Sequence, residues 1–294
     1  MFRRTQNIFF QISTLQNPLK SPPHMDPKAL WNAQAQTYKD TVETTTFTPA
    51  LTLANMLEIG KAQDIIEVAC ATGILSIHFL RNLTNAKTLV STDISESMIE
   101  LANARKAATE GINKDIKHEF VVADAQDMSF MKDESVDTYI SNLCIHLVPD
   151  ENKFLQEAKR ILKKGGKIGL TVPNRDTGLP RLVFSHLEKY GWKQNFPKDV
   201  YALGERDVMI KLLQDNGFEV RFCWDDHVKQ PYYEDSDVEK FFSSGHMSKV
   251  MAGFDEETQK KIKDGIMKDF HELRKQFIPF QLKMVSIVAH KPSL

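Results

Sequence analysis

The sequence predicts an α/β protein built on a doubly wound, mostly parallel sheet of seven strands, and three observations carry that reading. From Lys61 onward, short β-type runs alternate with helical patterns. The first such run breaks into a turn of small residues before a helical pattern resumes. The 294 residues, 41% hydrophobic and 26% charged, are enough to bury a full core.

The first five runs are "DIIEVA" (64 to 69), "KTLVSTD" (87 to 93), "IKHEFVVAD" (116 to 124), "VDTYISN" (136 to 142) and "KIGLTVP" (167 to 173). Runs separated by helical segments argue for parallel strands joined by helical crossovers. Between them, Ser95 is placed to cap "SESMIELANARKAA", and Phe154, Leu155, Ala158, Ile161 and Leu162 repeat at helical spacing until Gly165 and Gly166. After the fifth run the pattern predicts a helix over about 179 to 190, a loop with Trp192 and Pro197, and a helix ending near "LLQDNGFEV". Two more strands follow, "FEVRFCWDD" and "FQLKMVSIVAH". The roughly fifty residues between them, Val228 to Pro279, exceed any ordinary hairpin loop. They read as a helical cap that includes an amphipathic helix from about Asp255 to Gln276. The predicted organisation is an extension over 1–25, N-terminal helices over 26–60, a ligand-binding core over 61–175, an inserted helix, a following helix and strand six over 176–227, a cap over 228–280, and the last strand and tail over 281–294.

Composition excludes several classes. Lys plus Arg number 38 against 39 Asp plus Glu, so no global field draws the chain to nucleic acid. The three cysteines form no CxxC or Cys/His pair, so no disulfide framework or zinc site is indicated, and no metal ligand is assigned. No apolar run reaches the ~18 residues of a membrane helix, so a soluble protein is expected. Arg3, Arg4 and Lys20 precede the first acidic residue, and Ile8, Phe9, Ile12 and Leu15 share one helical face. That suits a mitochondrial presequence, the alternatives being a plain extension or a start at Met25. Cytoplasm and mitochondrial matrix are both open, and oligomeric state is not indicated.

The small-residue turn carries the chemistry. Small residues after a first parallel strand let backbone approach a ligand, and the helix that follows favours negative charge at its N-terminus. Glu67, Asp93 and Asp124 fall within or at the ends of strands one, two and three, where an open α/β sheet presents its ligand crevice. An acid twenty residues beyond Gly73 is placed to accept hydrogen bonds from both ribose hydroxyls. A nicotinamide fingerprint would fall on Ala69, Ala71 and Ile74 and fails at every glycine. No H-x-x-x-H or clustered carboxylate pair supports a metal-dependent hydrolase.

Taken together, "EVACATG", "STDISESMIELA", "VVADAQDM" and "SNLCIHLVPDENKFLQEAKRILKKGGKIGLTVP" resemble, in order and spacing over roughly residues 30 to 175, the motifs of class I S-adenosylmethionine-dependent methyltransferases. The chain is most similar to the small-molecule group that includes ubiquinone and menaquinone biosynthesis enzymes. "LWNAQAQTYKD" resembles that group's N-terminal helix, and the Phe-rich insertion resembles its cap. The resemblance implies a Rossmann-like sheet with an antiparallel last strand, and S-adenosylmethionine as cofactor. It places Glu67, Ala69, Cys70, Ala71 and Gly73 at the methionine end, Asp93 on the ribose, Ile94 and Met98 beside the adenine, and Asp124 and Ala125 at the adenine edge. It also sets Asn142 and Leu143 near the sulfonium, with Tyr38 closing over the site. The family's E/D-x-G-x-G-x-G keeps only Gly73 here. Ala71 occupies the position of closest backbone approach, at a cost in affinity of ~1 kcal/mol if its torsions suit alanine and with loss of binding if they do not.

Methyl transfer needs an in-line nucleophile and help with proton loss, for which a histidine is suited. His146, just after strand four, is the candidate base. Phe184 and Trp192 are the candidate acceptor contacts, with Phe241, Phe242 and Phe254 as further aromatics, while His186, His227 and His246, in the inserted segments, read as surface residues. The expected partner is a small, partly apolar methyl acceptor and not nucleic acid. A second reading, motivated by Ala71, is a catalytically inactive methyltransferase-like binding or scaffold subunit.

Overall fold

A computed structural model describes residues 26–175, 178–193, 199–230, 232–243 and 245–293. The predicted extension over 1–25 lies outside these described residues.

Two helices, α1 (Pro27–Thr41) and α2 (Glu43–Met56), precede the sheet. Asp26 caps α1, accepting from the Ala29 amide at 3.3 Å, and Pro27 stands where a missing N–H costs nothing. The core then runs β1 (Asp64–Val68), α3 (Ile74–Asn82), β2 (Thr88–Asp93), α4 (Glu96–Ala108), β3 (Lys117–Val122), β4 (Val136–Asn142), α5 (Glu151–Ile161) and β5 (Leu162–Pro173). Next come α6 (Gly178–Lys189), α7 (Arg206–Asp215), β6 (Glu219–Lys229), α8 (Asp235–Ser243), α9 (Gly245–Met251), α10 (Glu256–Lys275) and β7 (Gln281–His290). Local signals explain the boundaries. Ser95 Oγ accepts from the Met98 amide at 3.1 Å to start α4, Asp150 caps α5, and Asp255 caps α10 through the Thr258 amide at 2.8 Å.

The seven strands form one sheet in the order β3-β2-β1-β4-β5-β7-β6. Its first five strands pair in parallel, and β7 lies antiparallel between β5 and β6. This is the predicted fold class. Strand alternation splits the side chains between two layers: Ile66, Val68, Tyr139 and Ile168 meet Phe154, Ile161, Met209 and Leu213 of α5 and α7. On the opposite face Ile65, Leu89 and Ile140 meet Leu53 of α2, Leu57 just beyond its end, and Phe79 and Leu80 of α3. A third apolar cluster stands apart from both. Leu179, Val183 and Leu187 of α6 pack with Val238, Phe242, Ile262, Ile266 and Phe270 of α8 and α10. The cap therefore has its own core, assembled from two separate insertions.

Candidate active site

The strand order reverses between β1 and β4, and an open α/β sheet presents its ligand crevice at such a point. A cavity of about 480 Å³ opens there, over the C-terminal ends of β1 to β4 and beneath α1. Its wall includes Tyr38, Ala69, Ala71, Asp93, Ile94, Met98, Asp124, Ala125, Asn142, Leu143 and His146. Strand geometry brings these eleven together from five segments of the chain. Glu67 and Cys70 line a smaller recess behind the same turn. Gly73 reaches neither: a Cβ there would sit 2.8 Å from the Phe120 ring and 2.9 Å from Ala102, so this glycine serves helix packing.

The turn after β1 is left-handed at Ala69 (φ 59°), Ala71 (φ 48°) and Gly73 (φ 75°). An L-residue in that region costs roughly 1–2 kcal/mol, so two alanines hold a conformation that glycine would adopt freely. The turn is held from outside. Asp93 accepts from the Ala71 amide at 2.9 Å through Oδ2 and from the Ser95 amide at 3.0 Å through Oδ1. Burial raises the Asp93 pKa, partly offset by those two amides. Thr72 hydrogen-bonds Glu43 of α2, and Arg105 of α4 reaches the two Glu43 oxygens at 2.7 and 2.8 Å. This buried pair fastens the N-terminal helices to the turn.

The other walls are equally fixed. Asp124 accepts from the Gln126 amide at 2.9 Å, and Gln126 Oε1 accepts from the Asp150 amide at 2.9 Å, which ties the end of β3 to α5. Asn142 spends its side chain on structure, donating to the Thr46 carbonyl at 3.1 Å and accepting from Thr171 Oγ1 at 2.7 Å. Leu143 is left-handed (φ 55°), its amide donating to Thr171 Oγ1 at 2.9 Å. Thr46 Oγ1 donates to the Glu43 carbonyl at 3.0 Å, so the Tyr38 hydroxyl, 2.7 Å away, is the donor of that pair. Its remaining lone pairs are then free to face the cavity. Burial pushes the Tyr38 pKa up to about 12, so the group stays a phenol.

His146 lines the cavity and is only 6% exposed. Phe184 and Trp192 do not line it. Their rings stack at 5.2 Å and 18° against the cap core, beside Phe241 and Phe254, because a cap with its own apolar centre absorbs its aromatics. His186, expected at the surface, is buried with Nε2 2.7 Å from Asp269 Oδ2, whereas His227 is exposed. Sequence reasoning missed Trp31, Leu147, Val148, Pro149, Pro173 and Leu282, which form an apolar side of the cavity. Trp31 lay inside the N-terminal motif; nothing local marked Pro173 or Leu282. Among the described residues there is no metal-ligand cluster, and no helix is long and apolar enough to cross a membrane.

Known proteins resemble this chain over part of its length. A family described as "Methyltransferase domain" matches residues 66–170, the segment that supplies the turn and all three carboxylates. The chain is 35% identical over 107 residues to the ubiquinone/menaquinone biosynthesis C-methyltransferase of Rickettsia typhi, covering 35% of this chain and 42% of that one. It is 31% identical over 116 residues to the malonyl-[acyl-carrier protein] O-methyltransferase of Hahella chejuensis, covering 40% and 38%. An uncharacterized protein of Methanocaldococcus jannaschii is 32% identical over 130 residues, 44% of this chain and 55% of that one. The chain thus spans about half or less of these curated relatives. The fold is shared with a crystal structure of a methyltransferase candidate from Bacillus halodurans (TM-score 0.50, 20% identity, 82% and 98% coverage). It is shared equally with the [4+2]-cyclase SpnF (TM-score 0.50, 17% identity, 83% and 80% coverage). Fold alone therefore does not fix the reaction, and the identification rests on the matched segment and its carboxylates. Residues 66–170 thus match the methyltransferase-domain family, with a distant similarity to the S-adenosylmethionine-dependent ubiquinone and menaquinone group.

Proposed function

We propose that the protein methylates a small, partly apolar organic acceptor at the cavity over β1 to β4. One observation carries the reading: Asp93 and Asp124, from the ends of neighbouring strands, reach the same cavity wall as the left-handed turn at Ala69 and Ala71. That wall suits a molecule with ribose hydroxyls at one end and an adenine edge beside it. The donor set fits S-adenosylmethionine, with Asp93 receiving the ribose hydroxyls, Ile94 and Met98 flanking the base, Asp124 and Ala125 at its polar edge, and Glu67 behind the ammonium end. When bound, this cofactor supplies an electrophilic methyl on a sulfonium.

The chain's own residues do the rest by placement. Asn142 and Leu143, locked by Thr171 and Thr46, give the transfer point a rigid floor. Tyr38 covers it with a neutral phenol oxygen. Holding two reactants in line replaces a bimolecular encounter, which accounts for most of the rate expected of such a site. His146 is the base that takes the acceptor's proton, the only imidazole among the described cavity-lining residues. Trp31, Leu147, Val148, Pro149, Pro173 and Leu282 support an apolar acceptor face. The relatives include both a C- and an O-methyltransferase, so the acceptor atom is not carried over from them.

Calorimetric titration of the full chain with S-adenosylmethionine and its demethylated product tests the reading. Micromolar binding of both, with methyl transfer to a quinol or phenol panel that falls at least tenfold in His146→Ala, supports it. Binding without transfer to any acceptor favours the inactive binding subunit, and no binding removes the cofactor assignment.

A further inference from the structure

Behind the turn lies a polar chain, buried at Glu67 and Ser91 and half-buried at His118 and Lys106, that the proposed reaction does not use. Ile65 and Glu67 share the α3 face of β1; Glu67 registers with Ser91 on β2, and Ser91 with Phe120 on β3, two residues beyond His118. Side chains two apart on a strand share a face, so Glu67, Ser91 and His118 line up across three strands. Lys106 of α4 closes the row, its Nζ donating at 2.9 Å to His118 Nδ1 and at 3.1 Å to the His118 carbonyl. An Nδ1 that accepts leaves the proton on Nε2, which is 3.2 Å from Ser91 Oγ. Ser91 Oγ in turn donates to Glu67 Oε2 at 3.3 Å, and Ser76 donates to the same oxygen. Every hydrogen in the row points toward Glu67.

We propose that Lys106, His118 and Ser91 form a hydrogen-bonded relay that lowers the proton affinity of Glu67 and so favours its ionised form for the cationic end of the cofactor, an inference that rests on reading the cavity as a cofactor site. Lys106, His118 and Ser91 are positioning residues, since they act only through Glu67. The need for such a relay is physical. Glu67 is 5% exposed and faces Asp93 from β2, a like charge, with Cys70 from its own turn. Tyr38 of α1 and the Glu43–Arg105 pair of α2 and α4 are the other ionisable groups nearby, and β4 presents Ile140 and Asn142, neither of which ionises. Burial and Asp93 drive Glu67 up to about 8, against Ser76 and Ser91, which draw it down. His118 is suited to a fixed dipole rather than a charge, because burial, with Lys106 beside it, lowers its pKa to about 3.

The test is a difference-infrared titration of the cofactor-free full chain, following the carboxylic acid band that Glu67→Gln abolishes. Ser91→Ala and His118→Leu remove donors without adding charge. The midpoint of that band should rise by about one pH unit in both, a tenfold gain in proton affinity. His118→Gln, which retains a donor, should restore part of it. Calorimetry with S-adenosylhomocysteine should show about tenfold weaker binding by Ser91→Ala at neutral pH, recovered at higher pH. Midpoints equal to wild type in both variants, with melting temperatures retained, overturn the relay. A shifted midpoint in a protein that binds no S-adenosylhomocysteine instead keeps the relay and overturns the cofactor reading.

Discussion

The turn-and-carboxylate cradle and the helical cap are built on opposite terms. The cradle gathers buried acids and non-glycine residues in left-handed backbone at Ala69, Ala71 and Leu143. Each of these costs folding free energy, and such costs cluster where a ligand is handled. The cap spends its residues on packing: Phe270 stacks on Phe280 with centroids 5.5 Å apart, and no described residue of α6 or α8 to α10 lines the cavity. In the proposed reading the strand ends and α1 recognise the ligand, while the cap packs on itself beside the C-terminal end of β5, where α6 leaves the sheet.

Four changes sharpen or break that contrast. Phe270→Ala should cost about 3–5 kcal/mol of stability through the cavity it leaves in the cap, while S-adenosylhomocysteine affinity at low temperature stays within about twofold of wild type. Chemical denaturation beside calorimetry checks both, and a large affinity loss would join the two regions. Asp93→Ala should do the reverse, weakening that binding by roughly 100-fold, about 3 kcal/mol, through lost charge-assisted hydrogen bonds.

Glu67→Gln carries a pH signature. The acid's value in the folded protein, about 8, lies above its ordinary 4.5, so the protonated form favours folding. That stability is full below about pH 4.5 and is lost as pH rises through about 8. A glutamine cannot ionise, so the variant's melting temperature should match wild type in acid and exceed it by several degrees in mild alkali. Smallest is Ala71→Gly, which removes roughly 1–2 kcal/mol of left-handed strain but adds back up to about 1 kcal/mol of unfolded-chain entropy. A net gain within about 1 kcal/mol is expected, with cofactor affinity unchanged or higher; a large affinity gain would mean the alanine methyl obstructs the ligand.

Which of these features the sequence discloses follows from how local each one is. Ser95 and Asp255 cap helices three residues away, and Asp93 ends a strand written in its own neighbours, so all three can be read along the chain. The departure at Ala69 and Ala71 was visible as letters, but its resolution needed their torsions, and alanine turned out to occupy the conformation glycine usually takes. Phe184 and Trp192 misled because apolar aromatic character is the same whether the ring faces a ligand or a neighbouring helix. The relay to Glu67 was invisible for another reason: its links span 24 and 27 residues and exist only because parallel registers align three strands.

The position of β7 has a consequence for how the chain is made. It is the last of the seven strands to leave the ribosome, yet it occupies an interior place, with β5 on one side and β6 on the other. While the earlier segments emerge, β5 must wait with one edge bare and β6 has nothing to pair with. Vectorial synthesis can therefore complete the cradle before the sheet, and the closing event is the insertion of a ten-residue strand into a waiting slot.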